Sequence, residues 1–379
     1  MIDFAKVDFG EEEKEAVNRV LKTDWLASGP ENELFEKEFA SYVNSDYAIS
    51  ANSGSSANLL ALASLELKKG AKVLTSACGF PATYSPCLHL GHEPVLADYD
   101  MVTHNIDLNQ VYEKLTQVGA IILAHTMGNP VELRALVEEA KYLGVKVIED
   151  CCEAVGSKLD NKFLGTYGDL GTYSFYPAHQ ITALGGGGMV VTNNETLYRR
   201  MKSLRDWGKM YDWDSSKGGN QTDYSSPIGY HRGYTYETVG WNFKLPEANC
   251  AFGREQLKKL ERFKTERIGN WKYLEWKLEN IPQIKIAPMA DGACPFGFCM
   301  SVKDRNKFGL YLESKGIKHR PFFAGNILRQ PAFKSDLADN FPVADKLMNE
   351  ALFIGCHTKM TLEDLEYISD TIHAYFSNT

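Results

Sequence analysis

The alternation of short apolar runs with amphipathic stretches constrains the fold of this chain more than any other sequence feature. The apolar runs are YAIS (47–50), KVLT (72–75), PVLAD (94–98), AIILAHT (120–126), VKVIED (145–150), TYSFY (172–176) and GMVVT (188–192). Between them, ANLLALASLELKKG and NPVELRALVEEAKYLG have helical spacing and end at glycine. This rhythm predicts an α/β fold whose mostly parallel sheet is covered by helices on both faces.

The 379 residues are enough for a large core and a second, smaller domain. Residues 211–240 are rich in Gly, Ser and Tyr and predict a long irregular loop. A long helix is then expected over 247–281, with Leu257, Leu260 and Phe263 on one stripe. We therefore predict a large domain over residues 1–246, and a linking helix with a small domain over 247–379.

Charge and composition exclude several classes of protein. Acidic and basic residues are interspersed and the formal net charge is −8, so no basic surface is expected for nucleic acid. The first residues do not resemble a signal peptide, and no run of about 18 apolar residues could span a membrane. Eight irregularly spaced cysteines fit reduced thiols. The sequence predicts a soluble, cytoplasmic protein.

Three segments place polar or aromatic residues after strands, where open α/β sheets bind ligands. Gly54 and Ser55 stand at the expected start of a helix, whose free N–H groups attract phosphate, although such a turn can simply cap the helix. Asp150 ends an apolar strand, where a carboxylate needs a cation unless the strand tip is exposed. Phe80 could cover a flat ring or could belong to the core.

Together with SFYPAHQITALGGGG (174–188), these segments resemble the DegT/DnrJ/StrS-type sugar aminotransferases in order and spacing. The resemblance extends from WLASGPENELFEKEFA near the start to RPFFAGNILRQPAF and FIGCHTKM near the end. It implies the aspartate-aminotransferase-like fold (PLP fold type I), in which helices sandwich a large, mostly parallel mixed sheet and a small α+β domain follows. It also implies pyridoxal 5'-phosphate (PLP) or its amine form, pyridoxamine 5'-phosphate (PMP), as the cofactor.

The resemblance also assigns cofactor contacts to individual residues. It implies phosphate contacts from Gly54, Ser55 and Ser174, ring stacking by Phe80, pairing of Asp150 with the pyridine nitrogen and a position for Glu153 near the ring hydroxyl. Asn242 is implied to reach the phosphate of a neighbouring subunit. The expected working unit is therefore a homodimer with shared active sites.

His179 occupies the position at which this family carries its cofactor-binding lysine. Only a primary amine can form an imine with the cofactor aldehyde, and the nearest lysines in sequence are Lys162 and Lys202. The cofactor is therefore expected to bind noncovalently. With an unperturbed pKa of about 6.5, the imidazole could serve as a general base. The alternative is a packed histidine that makes one structural hydrogen bond.

Histidine at this position, with CGFPAT, GNP and RPFFAGN, resembles the branch of nucleotide-sugar 3-dehydratases in deoxysugar biosynthesis. These enzymes remove the 3-hydroxyl of 4-keto-6-deoxyhexoses. The resemblance implies that His179 removes a proton and then protonates the departing hydroxyl, and that an amino donor such as glutamate recharges the cofactor. Arg320 is the expected partner of the nucleotide diphosphate, unless it is an ordinary surface arginine.

One subtype of this branch carries an iron–sulphur cluster and uses a reductase, whereas the other needs neither. The residues of CGFPAT and RQPAF are more similar to the first subtype. The cluster of that subtype needs cysteine ligands, however, and no cysteine occurs between Cys152 and Cys250. We therefore predict no [2Fe-2S] cluster. Gly186 also departs from the family, which commonly has glutamate there. A sugar aminotransferase and a non-catalytic protein that binds PLP or a nucleotide sugar remain as alternatives.

Overall fold

The computed structural model describes residues 1–210 and 224–377. Its largest sheet has seven strands in the order β1-β9-β8-β5-β4-β2-β3, and β9 alone among them runs antiparallel to its neighbours. These strands are β1 (Tyr47–Ala51), β2 (Lys72–Ser76), β3 (Glu93–Ala97), β4 (Ala120–Ala124), β5 (Lys146–Asp150), β8 (Leu170–Ser174) and β9 (Gly188–Thr192). The predicted mostly parallel sheet is confirmed. TYSFY ends as a strand at Ser174, two residues earlier than predicted.

Two smaller sheets accompany the large one. A short hairpin pairs β6 (Lys158–Leu159) with β7 (Lys162–Phe163). The C-terminal part contains a four-stranded antiparallel sheet in the order β10-β11-β13-β12. Its strands are β10 (Ile284–Ile286), β11 (Phe298–Val302), β12 (His319–Pro321) and β13 (Ala351–Ile354).

The helices precede, separate and follow the strands. They are α1 (Glu11–Leu21), α2 (Pro30–Val43), α3 (Gly54–Ser64), α4 (Pro81–His89), α5 (Leu108–Lys114), α6 (Arg134–Leu143), α7 (Glu195–Arg205), α8 (Glu247–Leu278), α9 (Arg305–Ser314), α10 (Pro342–Glu350) and α11 (Leu362–Ser377). Within the described residues, none of them is both long enough and apolar enough to cross a bilayer.

The sequence predicts that two helices, α3 and α6, end at a glycine, and the structure agrees for α6 but not for α3. Helix α6 ends as predicted, because Gly144 adopts the left-handed conformation with φ 75° that closes a helix. The prediction that ANLLALASLELKKG ends at glycine is wrong. Helix α3 ends at Ser64, and Glu66 takes φ 48° while Gly70 lies in the turn before β2. A non-glycine residue thus provides the reversal.

Helix α8 packs into two hydrophobic cores. Leu257, Leu260 and Phe263 pack in the cluster beside the large sheet, with residues of α2 and β8. Trp271 and Leu274 pack in the cluster around the small sheet. The predicted helix over 247–281 is confirmed with a slightly earlier end. In the predicted irregular segment, residues 211–223 lie outside the described residues, and 224–240 contain one short 3-10 turn.

Candidate active site

A cavity of about 1010 Å³ lies at the carboxyl ends of the central parallel strands, and β12 and β13 of the small sheet help to close it. Eight of the nine residues predicted for the site line it, namely Gly54, Ser55, Phe80, Asp150, Glu153, Ser174, His179 and Arg320. Asn242 does not line it and is exposed. No lysine is among the described residues that line the cavity. Among the residues that the structure describes, the cavity therefore combines acidic, aromatic and imidazole groups and contains no primary amine.

One end of the cavity is formed by the start of α3. Ser53 caps this helix by accepting a hydrogen bond from the Ser56 N–H at 3.1 Å, which leaves earlier N–H groups of the first turn without helical partners. A β-carbon on Gly54 would lie 2.6 Å from Cβ of Ser174 and 2.8 Å from Sγ of Cys152. The glycine is therefore required by space, and it keeps the backbone open to a small anion.

Asp150 is buried at the end of β5, with 5% of its surface exposed. Its Oδ2 accepts hydrogen bonds from Nδ2 of Asn58 and Oγ1 of Thr83, both at 2.7 Å, and its Oδ1 accepts one from the Cys152 N–H at 3.0 Å. The exposed strand tip considered from the sequence is therefore wrong. No salt bridge to Asp150 forms within 1–210 and 224–377. A cationic ring nitrogen would complete its charge balance.

Glu153 lies three residues further along, in the turn after β5. Oε2 of its carboxyl accepts a hydrogen bond from the Met127 N–H at 2.8 Å. Burial raises the pKa of Glu153 to about 8, and the nearby Asp150 adds to the rise. The raised pKa favours the protonated form of Glu153, which can donate a hydrogen bond to an oxygen in the cavity.

His179 lies in the turn that follows β8. The Nδ1 atom of its ring is buried and has no hydrogen-bond partner, while the ring packs 5.1 Å from the ring of Phe296 at an interplanar angle of 41°. Burial lowers the pKa of His179 to about 3, and the positive charge of Arg267 lowers it further. In these surroundings the pKa of the ring therefore lies below the unperturbed value of about 6.5. The imidazole is uncharged at neutral pH and can accept a proton.

A large part of the cavity wall is aromatic. It includes Phe4, Phe296, Phe323, Phe333 and Phe353. Phe80 is 56% exposed, and its ring lies 6.5 Å from that of Phe323 at an angle of 87°. The guanidinium of Arg320 lies 5.1 Å from the ring centroid of Phe4, and its Nη1 donates to the His319 carbonyl at 2.8 Å. Most donors of Arg320 therefore remain available at the cavity.

Several residues of the site were not found from the sequence. Asn58 and Thr83 hold Asp150, yet they lie 92 and 67 residues away from it. Both occur within segments that were singled out, ANSGSSANLL and SACGFPATY, but no local pattern marks them. Phe4 and Phe296 reach the cavity from the N-terminal segment and from the loop before β11. Only tertiary structure brings these residues to the site.

A group of His125, Glu149 and Cys151 lies just behind the cavity, with possible ligand atoms within 4.8 Å of one another. The Glu149 carboxylate already accepts hydrogen bonds from three backbone N–H groups between residues 165 and 168, at 2.6 to 2.7 Å, and contacts the His125 ring at 3.2 Å. These bonds account for the buried carboxylate without a metal ion.

Comparison with known proteins relates this arrangement to sugar-modifying enzymes. Residues 7–373 match the model of the DegT/DnrJ/EryC1/StrS aminotransferase family. The chain is 36% identical to the lipopolysaccharide biosynthesis protein RfbH of Salmonella typhimurium, over 93% of this chain and 86% of the relative. It is 35% identical to the dTDP-4-dehydro-2,6-dideoxy-D-glucose 3-dehydratase of Saccharopolyspora spinosa, over 93% and 82% of the two chains.

A solved structure with a similar fold is that of a GDP-4-keto-6-deoxymannose-3-dehydratase with a trapped PLP-glutamate geminal diamine. The TM-score is 0.89 at 27% identity, and the alignment covers 98% of this chain and 100% of the other. This similarity confirms the predicted fold class, in which a large mixed sheet between helices is followed by a small α+β domain.

Proposed function

Because the chain belongs to the DegT/DnrJ/EryC1/StrS aminotransferase family, we propose that it is a nucleotide-sugar 3-dehydratase that uses PLP and PMP. The proposed reaction removes the 3-hydroxyl of a nucleotide-linked 4-keto-6-deoxyhexose. The observation that carries this proposal is a cavity with an uncharged histidine, His179, at the family's lysine position and with no lysine among its described lining residues.

The residues that line the cavity fit a phosphorylated pyridine. The open backbone at Gly54, together with Ser55 and Ser174, would hold the phosphate. The buried carboxylate of Asp150, which has hydrogen bonds but no salt bridge within the described residues, would pair with the ring nitrogen. Phe80 would cover the ring, and protonated Glu153 would donate to the ring hydroxyl oxygen. We propose these contacts as the cofactor site.

When bound, PMP would supply an amine that bonds to the 4-keto carbon and a ring that withdraws electrons. His179 would accept a proton on an imidazole nitrogen and deliver it to the oxygen that leaves carbon 3. Its buried, unpartnered Nδ1 shows that the ring is not committed to a structural network through both nitrogens. An anionic ligand beside the ring would raise the low pKa of His179 toward the working range.

The remaining parts of the proposal concern the substrate and its partners. Arg320 would bind the nucleotide diphosphate, since it reaches the cavity with donors to spare. An amino donor such as glutamate would return the cofactor to its amine form. Asn242, exposed and outside this cavity, would reach the phosphate in a second subunit of a homodimer. With no cysteine between Cys152 and Cys250, the reaction would proceed without an iron–sulphur cluster.

The experiment that tests this proposal mixes the purified protein and PMP with a panel of CDP-, GDP- and dTDP-linked 4-keto-6-deoxyhexoses. Product mass and cofactor absorbance are followed, with and without glutamate. We expect one sugar to lose the mass of one oxygen atom in the first turnover, because its 3-hydroxyl leaves while PMP is oxidised to PLP and ammonia is released, and to be turned over repeatedly only with glutamate. The His179→Asn variant should bind PMP but lose this activity.

Two other outcomes would contradict the proposal. Exchange of the keto oxygen for an amino group, with no loss of the 3-hydroxyl, would identify a transaminase. Binding of PMP without any change in the mass of every sugar would identify a non-catalytic protein.

A further inference from the structure

Arg267 is a buried arginine that the reaction just proposed does not use. It lies on α8 with 4% of its surface exposed. No carboxylate forms an ion pair with it in the part of the chain that the structure describes. A buried guanidinium is costly unless its donors are used well, so its position requires an explanation.

The donors of Arg267 bind backbone carbonyl groups from two separate regions. Nη2 donates to the carbonyl of His179 at 3.0 Å. Nη1 donates to the carbonyls of Pro295 at 3.3 Å and Phe296 at 3.2 Å, in the loop before β11. The ring of Phe296 is the one that packs against the imidazole at 5.1 Å. One guanidinium therefore holds both the backbone of the histidine and the backbone of the aromatic residue beside it.

The charge of Arg267 has a second consequence at the same place. A cation close to an imidazole disfavours its protonated form, and Arg267 acts on His179 in this direction in addition to burial. Other titratable groups also line the two cavities that His179 borders. They are Asp150, Cys152 and Glu153 after β5, Arg320 on β12, Tyr176 in the turn after β8, and Lys6 and Asp8 in the N-terminal segment.

Asp8 does not neutralise Arg267, because its carboxylate pairs with Lys359 at 2.6 Å and Arg262 at 3.3 Å. The carboxylate of Asp150 forms no ion pair with Arg267 and instead accepts hydrogen bonds from Asn58 and Thr83. The guanidinium thus stays close to His179 without a compensating acid among the described residues.

We propose that Arg267 is a positioning residue of the dehydration reaction, which fixes the His179 turn against the loop of Phe296 and places a positive charge beside the turn that carries the imidazole. This inference rests on the proposed function, since it takes His179 as the base. It adds a residue that touches neither cofactor nor substrate and acts through the backbone and charge of another.

Two substitutions separate the two effects. Arg267→Lys retains the positive charge but cannot donate to three carbonyls in the fork arrangement, whereas Arg267→Met removes both the charge and the donors. Lys258→Met is the matched control, because Lys258 is an exposed cation on the same helix. NMR of the whole chain without substrate follows protonation of the His179 ring, assigned by its loss in His179→Asn. Activity is measured against pH with the sugar of the panel that loses its 3-hydroxyl fastest.

For Arg267→Met we expect the protonation midpoint of His179 to rise by at least about one pH unit, and the acid limb of kcat to rise with it. For Arg267→Lys the midpoint should stay low while kcat falls about 10-fold or more, with little change in KM. Lys258→Met should match the wild type in both measurements.

An unchanged midpoint in Arg267→Met would overturn the electrostatic part of the proposal. Should that variant not fold, Arg267→Lys still tests the positioning part, and wild-type kcat in this variant would overturn it. Because the NMR titration needs no substrate, a shifted midpoint in a protein that dehydrates no sugar would count against the proposed function and not against the action of Arg267 on the imidazole.

Discussion

His179 is the residue on which the proposed chemistry of the cavity depends, because it stands where the family is expected to carry the lysine that forms an imine with the cofactor aldehyde. The surroundings of the His179 ring favour its uncharged form. Phe296 packs on it, Nδ1 is buried without a partner, and Arg267 holds its carbonyl. If His179 has the proposed role, we expect a substitution at this position to change reaction type as well as rate.

His179→Lys tests this directly. We expect the variant to gain the mass of one cofactor after incubation with PLP and reduction with borohydride, because a primary amine now enters the cavity. Loss of the 3-hydroxyl from the sugar should slow by about 10²- to 10⁴-fold, the usual contribution of a general acid–base group. Wild-type protein treated in the same way is the control. A borohydride-stable adduct in the wild type would contradict noncovalent binding.

Glu153→Gln tests the role of the protonated carboxyl group. Since the pKa of Glu153 is raised to about 8, wild-type affinity for PLP should be constant below that pH and fall as the pH rises through it, when the carboxylate forms and repels the anionic ligand. Glutamine donates a hydrogen bond at every pH, so the variant should lose this dependence above pH 8. Titrations of cofactor absorbance at several pH values provide the measurement, and an identical alkaline fall in both proteins would refute the assignment.

The residues that end strands could be predicted from the sequence, whereas those that support them could not. Asp150 ends β5, while Gly54 and His179 lie in the segments that follow β1 and β8, so the sheet brings them to one edge. Asn58 and Arg267 act across 92 and 88 residues of sequence. Asn58 binds the side chain of Asp150 and Arg267 binds the backbone carbonyl of His179. Hydrophobic periodicity does not predict contacts of this kind. The low pKa of His179 was missed for the same reason, because burial arises only on folding.

At the scale of secondary structure, the first turn of α3 joins the sheet to the cavity. Gly54→Ala should keep the helix but place a methyl group against Ser174 and Cys152. We expect the affinity for PLP to fall at least 10-fold, and the free energy of unfolding to fall by about 1–3 kcal/mol from overpacking. Cofactor titration and urea unfolding measure the two effects.

Gly269→Ala is the control for the glycine-to-alanine change itself. Gly269 lies within α8, and a β-carbon there meets no atom within 4 Å. This variant should leave cofactor affinity unchanged and raise the free energy of unfolding by about 0.5–1 kcal/mol through helix propensity. Equal cofactor affinities for Gly54→Ala and the wild type would show that the space beside Ser174 does not hold the phosphate.

The type and order of these elements could be predicted from hydrophobic periodicity, and so could the end of α6, but the end of α3 could not. Each predicted strand between residues 47 and 192 exists, because a buried parallel strand needs a continuous apolar run. The end of α3 differs from prediction because Glu66 reverses the chain in a conformation normally reserved for glycine or asparagine. The position of this chain reversal is set by the position of β2 in the folded sheet, which the local sequence does not encode.

For the molecule as a whole, burial of neutral histidines predicts sensitivity to acid. Burial lowers the pKa of His104 to about 4 against an unfolded value near 6.5. Between these values the unfolded chain binds a proton that the folded protein does not, so the free energy of unfolding decreases as the pH falls. His104→Asn should remove up to about 3 kcal/mol of this loss between pH 7 and 4.

Asparagine is chosen because it tolerates the left-handed backbone at position 104, where φ is 53°. Urea unfolding at several pH values gives the measurement, and the variant should show the flatter dependence. His89→Asn, at an exposed position, serves as the control. If His104→Asn follows the same slope as the wild type, the buried imidazole is not a source of the acid sensitivity.

Helix α8 also limits how this protein can be recombined with its relatives. A hybrid joined at residue 246 would take all of α8 from the relative. The relative's residues at positions 257, 260 and 263 would then pack against α2 and β8 of this chain, in place of Leu257, Leu260 and Phe263. A crossover after Leu278 would instead leave native Trp271 and Leu274 facing a foreign small sheet. Hybrid enzymes therefore need a join within the helix, between Phe263 and Trp271, so that each core inherits its own side chains.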